Sequence, residues 1–304
     1  MEDTAMKKYF ISASAVCALI FVMVVVALSS CEKIVFSEDE QATGDKNGNL
    51  RVSVFEIEKT PFASLTRGTA SEASEACTRL NFAIYNKDGS RAKQVNQTSD
   101  KSGFGTASFQ LDEGVYQLVV LGHSASGNPT MTNPAKIQFT NATGYTDTFL
   151  HSEEITIGEE HVDMQVALDR IVSLCRVVIT DDYPAEVAKM QFYYTGGSGA
   201  FDAYTGYGSV NSKQTVTFSV ADGQKQFDLY TFLHEDSNNI ALKVTALDAS
   251  GNELYNREFD VPMEVNHITW LKGAFFDGGS SSSSITVTGV TVNTEWAGQT
   301  YLDF

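Results

Sequence analysis

Short segments in which apolar and polar residues alternate recur along this chain, each bounded by turn-forming residues. LRVSVFEIE alternates from Leu50 to Glu58, and EHVDMQVAL places apolar side chains at every second position. A period of two residues puts alternate side chains on opposite faces of a β-strand, whereas an amphipathic helix requires a period of 3.6. The sequence therefore predicts an all-β fold of short strands at the spacing of a β-sandwich.

Turn residues predict how these strands connect. NKDG at 86–89 and DASG at 248–251 each separate two alternating stretches, which favours a β-hairpin at both positions. DEG at 112–114 separates TASFQL from VYQLVVLGHS, and we expect a third hairpin there.

Two blocks of strands suggest tandem β-sandwich domains, 49–168 and 169–277. RIVSLCRVVIT, at 170–180, is apolar at successive positions and predicts a central strand covered on both faces. Residues 278–304 begin with a Gly/Ser linker and continue as ITVTGVTVNTEW, in which the alternation slips at Gly289, a natural place for a bulge. This terminal strand either completes the second sandwich or pairs with the sheet edge of another protein.

The N-terminus combines a basic start with a long apolar run. Lys7 and Lys8 precede the run from Tyr9 to Leu28, whose length also suits a membrane-spanning helix. The run ends in Leu-Ser-Ser-Cys, the pattern at which bacterial signal peptides are cleaved before a cysteine that accepts lipid. We therefore expect residues 1–30 to be a lipoprotein signal peptide, Cys31 to be the lipidation site that receives fatty acyl chains such as palmitate, and 31–48 to be a flexible tether.

Charge, cysteine spacing and motif content exclude several classes of function. The net charge of −17 argues against a nucleic-acid partner, which requires a basic surface. Cys77 and Cys175 do not have the spacing of a zinc site, and we expect both to be small buried side chains, with a disulfide between them as the alternative. The five histidines are scattered, and no nucleophile elbow, zinc-protease motif or phosphate-binding loop occurs. We expect no catalysis, metal or cofactor.

A segment rich in tyrosine and glycine, 190–210, offers a candidate binding surface. Its aromatic side chains include Tyr193, Tyr194, Tyr204 and Tyr207. Such rings stack on sugars, so these four are candidate ligand-stacking residues of a glycan-binding protein. The alternative interpretation is an aromatic strand and a loop that cover the core of the sandwich.

Several stretches, taken together and in order along nearly the whole chain, resemble a known family. The lipoprotein-type cleavage site, CTRLNFAIYNKDGS, LDEGVYQLVVLGHS, ALDRIVSLCRVVITD, KMQFYY and GAFDAYTGYG resemble the fimbrillin superfamily. More narrowly, they resemble the fimbria-anchoring lipoproteins of type V pili in Bacteroides-group bacteria. The resemblance implies two tandem transthyretin-like, Greek-key β-sandwich domains and attachment to the outer membrane through Cys31, with exposure at the cell surface.

The same resemblance implies a partner and a mode of assembly. Fimbrillin subunits assemble by strand donation, in which a neighbouring subunit supplies a strand to a vacated groove. In stalk subunits a protease first cuts after an arginine in a loop, and Arg67 of SLTRGTA is the candidate cleavage site here. Anchor subunits keep both the first strand and the lipid. We expect a basal anchor, with a stalk or tip subunit and a glycan-binding lipoprotein as the alternatives.

The lipidation site is directly testable by substituting Cys31 with alanine. The variant has no thiol for the diacylglyceryl group, so we expect it to leave the membrane fraction and to lose label from an alkyne-modified palmitate analogue. Cys77→Ala is the matched control and should remain membrane-bound and labelled. If Cys31→Ala stayed in the membrane fraction to the same extent as the unmodified chain, the lipoprotein assignment would be wrong.

Overall fold

Every regular element in the described part of the computed structural model is a β-strand, so the all-β prediction is confirmed. The structure describes residues 44–45, 48–57, 76–277, 286–287 and 297–304. The first strands are β1 (Leu50–Ile57), β2 (Arg79–Asn86), β3 (Arg91–Thr98), β4 (Thr106–Phe109), β5 (Gly114–His123), β6 (Ile137–Gln138), β7 (Thr148–Ile157) and β8 (Val162–Arg170). The others are β9 (Ser173–Ile179), β10 (Lys189–Thr195), β11 (Ala200–Phe201), β12 (Gln214–Ser219), β13 (Gln226–Thr231), β14 (Ser237–Leu247), β15 (Glu253–Glu264), β16 (His267–Gly273), β17 (Thr286–Val287) and β18 (Gly298–Asp303).

The first seven-stranded sheet folds over into two layers. β3, β2, β5 and β7 pair in that order in one layer, and β8, β1 and β4 pair in the other. The layers are continuous where β7 meets β8, at Phe149 opposite Arg170 and Leu150 opposite Asp169. Apolar side chains of both layers, among them Val52, Phe82 and Leu118, form a buried core between them. This part of the chain is a β-sandwich.

The second set of strands forms two facing sheets. One has the order β12-β10-β14-β15 and the other the order β13-β9-β16-β18-β17. Their facing side chains enclose a second core, which includes Phe192, Phe227 and Val244. Both cores lie in one compact unit, Asp39–Phe304, so the division into two transthyretin-like domains at residue 168 stays a prediction.

A third apolar cluster joins the two sets of strands. Tyr85 and Leu121, which point away from the first core, pack with Leu174, Phe232 and Ile268. The strands at this junction are consequently buried on both faces. β9 lies between β13 and β16, with its start in the third cluster and the rest of its inner face in the second core. This position explains why its sequence is apolar at successive positions, as predicted.

Two of the three predicted hairpins are confirmed. At the β2–β3 turn, Gly89 has a φ of 82° and the Asn86 N–H donates to the Ser90 carbonyl at 2.8 Å. At the β14–β15 turn, Gly251 has a φ of 89°. Glycine adopts this left-handed conformation without the steric cost that other residues incur.

The hairpin expected at 112–114 is wrong. β4 pairs with β1, whereas β5 pairs with β2 and β7, so the chain crosses from one layer of the sandwich to the other here. The Asn49 side chain holds the crossing. Its amide donates to the Leu111 carbonyl at 2.9 Å and its Oδ1 accepts from the Leu111 N–H at 3.0 Å. Alternation shows which face a side chain occupies, but it does not identify the partner strand.

The C-terminal strand lies inside a sheet. β18 pairs in parallel with β16 and antiparallel with β17, so it has neighbours on both sides. Leu302 enters the second core, and the Tyr301 ring stacks on Trp270 with centroids 5.6 Å apart. Gly289 and most of the predicted terminal strand lie outside the described residues. In this chain the last six-residue strand completes its own sheet.

The side chain of Arg170 connects the two sets of strands through an ion pair on one side and a hydrogen bond on the other. Its side chain is 4% exposed, and Nε and Nη2 donate to the two carboxylate oxygens of Asp147 at 2.8 and 2.9 Å. Nη1 donates to Asn266 Oδ1 at 3.0 Å, and the guanidinium lies 4.9 Å from the centre of the Phe149 ring. Since Asp147 precedes β7 and Asn266 precedes β16, one buried side chain bridges both sandwiches.

Replacing Arg170 with alanine should therefore be strongly destabilising. The Asp147 carboxylate, whose side chain is 26% exposed, would lose its bidentate partner, and the contacts of a buried guanidinium would be lost with it, so we expect the free energy of unfolding to fall by about 3–5 kcal/mol. Urea denaturation followed by tryptophan fluorescence measures it. The control is Lys93→Ala, because Lys93 and Asp45 form an exposed pair at 3.1 Å whose loss should cost under about 1 kcal/mol. Equal effects of the two substitutions would contradict the bridging role.

Candidate functional site

β1, the first strand in the described part of the chain, lies between two others rather than at a sheet edge. β1 pairs antiparallel with β4 and in parallel with β8 over seven residue pairs. Its backbone is also bonded at the flanks, where the Val162 N–H donates to the Asn49 carbonyl at 2.9 Å. Without β1, the facing edges of β4 and β8 would both lose their hydrogen-bond partners.

One face of β1 fills the core of the first sandwich. Leu50, Val52, Val54 and Ile57 are each at most 7% exposed. The first three alternate, and a bulge after Val54 shifts the phase so that Ile57 also lies in the core. One face of β1 therefore fills the core, and its backbone is hydrogen-bonded to a strand on each side.

Two residues singled out from the sequence lie outside the described residues. Cys31 precedes the first described position, and Arg67 lies in the connection between β1 and β2, of which 58–75 is not described. Lipidation at Cys31 and cleavage at Arg67 stay predictions. Among the described residues, no helix has the length and hydropathy needed to cross a membrane.

The four candidate stacking tyrosines do not share one surface. Tyr194 is fully buried in the second core, where its hydroxyl donates to the Tyr230 carbonyl at 3.0 Å. Burial raises its pKa well above the ordinary value. Tyr204 is 55% exposed on the loop after β11, and the Tyr207 hydroxyl on that loop donates to Asp236. Tyr193 alternates with Tyr194 on β10 and lies on the outer face of the sheet.

The outer face around Tyr193 contains a pocket of about 420 Å³. Its polar lining residues lie in two rows, each of which runs across β10, β14 and β15 through residues paired in the strand register. One row is Tyr193, Lys243 and Glu258, and the next is Thr195, Ala241 and Asp260. The sequence indicated only Tyr193, because every other lining residue except Thr195 is 48 or more positions away and meets it only through strand pairing.

The histidines that the structure describes form no metal site. The buried His123 accepts a hydrogen bond at Nδ1 from the Ala125 N–H at 3.1 Å, so Nε2 donates to Asn81 Oδ1 at 2.8 Å. Burial and, secondarily, the Arg79 charge lower the pKa of His123 to about 3, which keeps the ring neutral. In the described part of the chain, no three His, Cys, Asp or Glu residues cluster as metal ligands.

The two cysteines in the described part of the chain, Cys77 and Cys175, are both buried. Cys77 precedes β2 and packs in the first core, whereas Cys175 lies in β9 and packs in the second. Burial, followed by the nearby Asp228 charge, raises the pKa of Cys175 to about 12. A thiol with this pKa stays protonated and is a poor nucleophile.

An aspartate holds the chain where the Gly/Ser linker begins. The Asp181 carboxylate accepts hydrogen bonds from the backbone N–H groups of Phe275, Phe276 and Asp277, with N···O distances of 2.8 Å to the first and 2.9 Å to the last. Burial raises the pKa of Asp181, but these three donors outweigh it, and the net shift is downward. The carboxylate therefore stabilises the loop that follows β16 in its charged form.

Comparison with protein families gives one match. Residues 42–301 match the model of a family described as a family of unknown function, DUF6562. No curated protein matches the chain.

Solved structures with a similar fold include a candidate adhesin and two fimbrial proteins. A candidate adhesin from Bacteroides ovatus is 14% identical with a TM-score of 0.45, and the match covers 69% of this chain and 82% of that one. The fimbrial anchor protein Mfa2 from Porphyromonas gingivalis is 14% identical with a TM-score of 0.39, over 68% of this chain and 80% of its own. A fimbrial assembly protein from Parabacteroides distasonis is 13% identical with a TM-score of 0.35, over 78% and 93%.

The contacts of Asp181 predict a pH-dependent contribution to stability. Because its folded pKa is below the ordinary value of 3.8, the carboxylate stabilises the fold above that value, and this stability is lost as the pH falls through the folded pKa. We expect Asp181→Asn to lower the free energy of unfolding at pH 7 by about 1–3 kcal/mol, and the difference from the unmodified chain to shrink below about pH 4.

The neighbouring Asp182 is the matched control. Its side chain is fully exposed, with Lys225 Nζ 2.8 Å away. Asp182→Asn should change the free energy of unfolding by under about 1 kcal/mol. A loss for Asp181→Asn that stayed constant from pH 7 to pH 3 would contradict a role for the charged carboxylate.

Proposed function

The chain belongs to the DUF6562 family, and from that premise we propose that it is a lipid-anchored structural subunit of a cell-surface fimbria, acting as the basal anchor. The observation that carries this proposal is the position of β1. β1 is the first described strand, it is apolar on its core face, and it has a neighbour on each side, so its loss would leave a groove that a donated strand could fill.

The buried side chains of β1 indicate how much of the stability of the fold depends on keeping this strand. Fully burying a Val, Leu or Ile side chain contributes about 1.5–3 kcal/mol, so its four buried residues contribute on the order of 6–12 kcal/mol. A whole domain is typically stable by only about 5–15 kcal/mol. A chain that lost β1 would therefore need another strand in its place, whereas a chain that kept β1 would have a closed first sandwich.

These two states correspond to two roles in a fimbria. A subunit with an open groove takes a strand from its neighbour and extends the fibre. A subunit that retains both β1 and the acyl chains at Cys31 ends the fibre at the outer membrane, since such lipid chains bind the bilayer durably. The Leu-Ser-Ser-Cys sequence before the tether provides the lipidation site that an anchor requires. Its partners are other fimbrial subunits, which it contacts by strand exchange.

The N-terminus of the mature protein distinguishes these roles. We expect mass spectrometry of protein recovered from purified fimbriae to find acylated Cys31 as the first residue, with the peptide that spans Arg67 intact. A new N-terminus at Gly68 would support a stalk subunit and contradict the anchor. In that case Arg67→Ala should abolish the Gly68 terminus, and Arg51→Ala, a control within β1, should not. Absence of the protein from fimbriae would contradict the proposal as a whole.

A further inference from the structure

The pocket on the outer face of β10, β14 and β15 has a clear physical origin. Strand register places Ala241 between Thr195 and Asp260, while the adjacent row contains Tyr193, Lys243 and Glu258. A single methyl group among longer side chains leaves a depression in an otherwise flat sheet surface. Its volume of about 420 Å³ is within the range of small-molecule sites, about 300–1,000 Å³.

Several polar groups of the pocket are available to a ligand. Tyr193 and Thr195 are half-buried and Glu258 is exposed, and none of their side chains is hydrogen-bonded to another described residue. Two other groups are oriented by neighbours outside the pocket. Lys243 Nζ donates to Glu253 at 3.1 Å and Asp260 accepts from the Asn239 amide at 2.9 Å. The pocket thus combines an aromatic ring with hydroxyl, ammonium and carboxylate groups on rigid strands.

The charged side chains of the pocket restrict the class of ligand that can bind there. The pocket itself contains the carboxylates of Glu258 and Asp260, and its one ammonium, on Lys243, is already paired with Glu253. An anionic ligand would meet net negative charge here and on the protein as a whole, where the net charge is −17. A ligand with hydroxyl donors would instead satisfy the carboxylates without adding charge.

We propose that this pocket binds one neutral pyranose unit of a glycan. The apolar face of the sugar ring packs on Tyr193, its hydroxyls donate to Glu258 and Asp260, and Lys243 donates to a hydroxyl or ring oxygen. Each group of the pocket then has a partner of matching chemistry.

The same face extends the site beyond one sugar unit. In the next row of the sheet Thr217, Gln191 and Asn256 carry hydroxyl and amide side chains at the surface, whereas Thr245 between them is buried. These side chains both donate and accept hydrogen bonds, as the hydroxyls of a glycan chain do. We therefore expect an oligosaccharide of neutral sugars to bind more tightly than a single unit. The inference does not rest on a role in fimbriae.

Saturation-transfer NMR on the full chain with methyl pyranosides tests the proposal. The probes are the methyl glycosides of glucose, galactose, mannose and N-acetylglucosamine, with methyl glucuronide and methyl glucosaminide as charged comparisons. We expect at least one neutral glycoside to bind, and the glucuronide to bind more weakly than its neutral counterpart. Stronger binding of the glucuronide or of the cationic glucosaminide would overturn the assignment to a neutral sugar, and so would no binding of any neutral probe.

Three variants locate the binding. Tyr193→Ala removes the stacking surface and should weaken binding about tenfold. Ala241→Val fills the depression with a residue that favours strands and removes no ligand group, so it should abolish binding while the fold is retained. Ser219→Ala, on the same face but away from the pocket, should bind normally. Unchanged binding by folded Ala241→Val, as judged by circular dichroism, would overturn the proposed site.

Discussion

The buried guanidinium of Arg170 links parts of the chain that are far apart in sequence. It bonds both oxygens of Asp147 and the side chain of Asn266, and it lies against the Phe149 ring. Burying a charge is costly unless it is paired and hydrogen-bonded, so this arrangement tolerates little displacement of β7, β8 or β16. Asn266, the only described residue other than glycine with a positive φ, at 58°, is held within the same network.

The apolar cluster between the two sandwiches also holds them together. Tyr85 and Leu121 of the first sandwich share it with Leu174 and Phe232 of the second. A junction of this kind transmits force through packed side chains rather than through a flexible connection. This junction suits the anchor role proposed above, because a pulling force on one sandwich would act directly on the other.

The two candidate surfaces, β1 and the pocket beside Tyr193, lie in different sandwiches and suit different kinds of partner. β1 belongs to the first, where an apolar strand and its backbone hydrogen bonds suit exchange with another protein. The pocket beside Tyr193 belongs to the second, where polar side chains on a solvent-facing sheet suit a sugar. An anchor could thus retain its own first strand and still contact a glycan, since neither surface uses residues of the other.

Local sequence determined the strands, two of the hairpins and the doubly buried β9, because alternation and turn residues act within a few positions of one another. It also indicated Cys31, whose signal is a contiguous motif. Strand partners were decided by tertiary structure: the crossing after β4, the bulge that returns Ile57 to the core, and the internal place of β18 all depend on pairing between distant segments. The pocket likewise depends on pairing between distant segments. Tyr193 was visible in the sequence, but Ala241 and Glu258 became its neighbours only when the register of three strands was set.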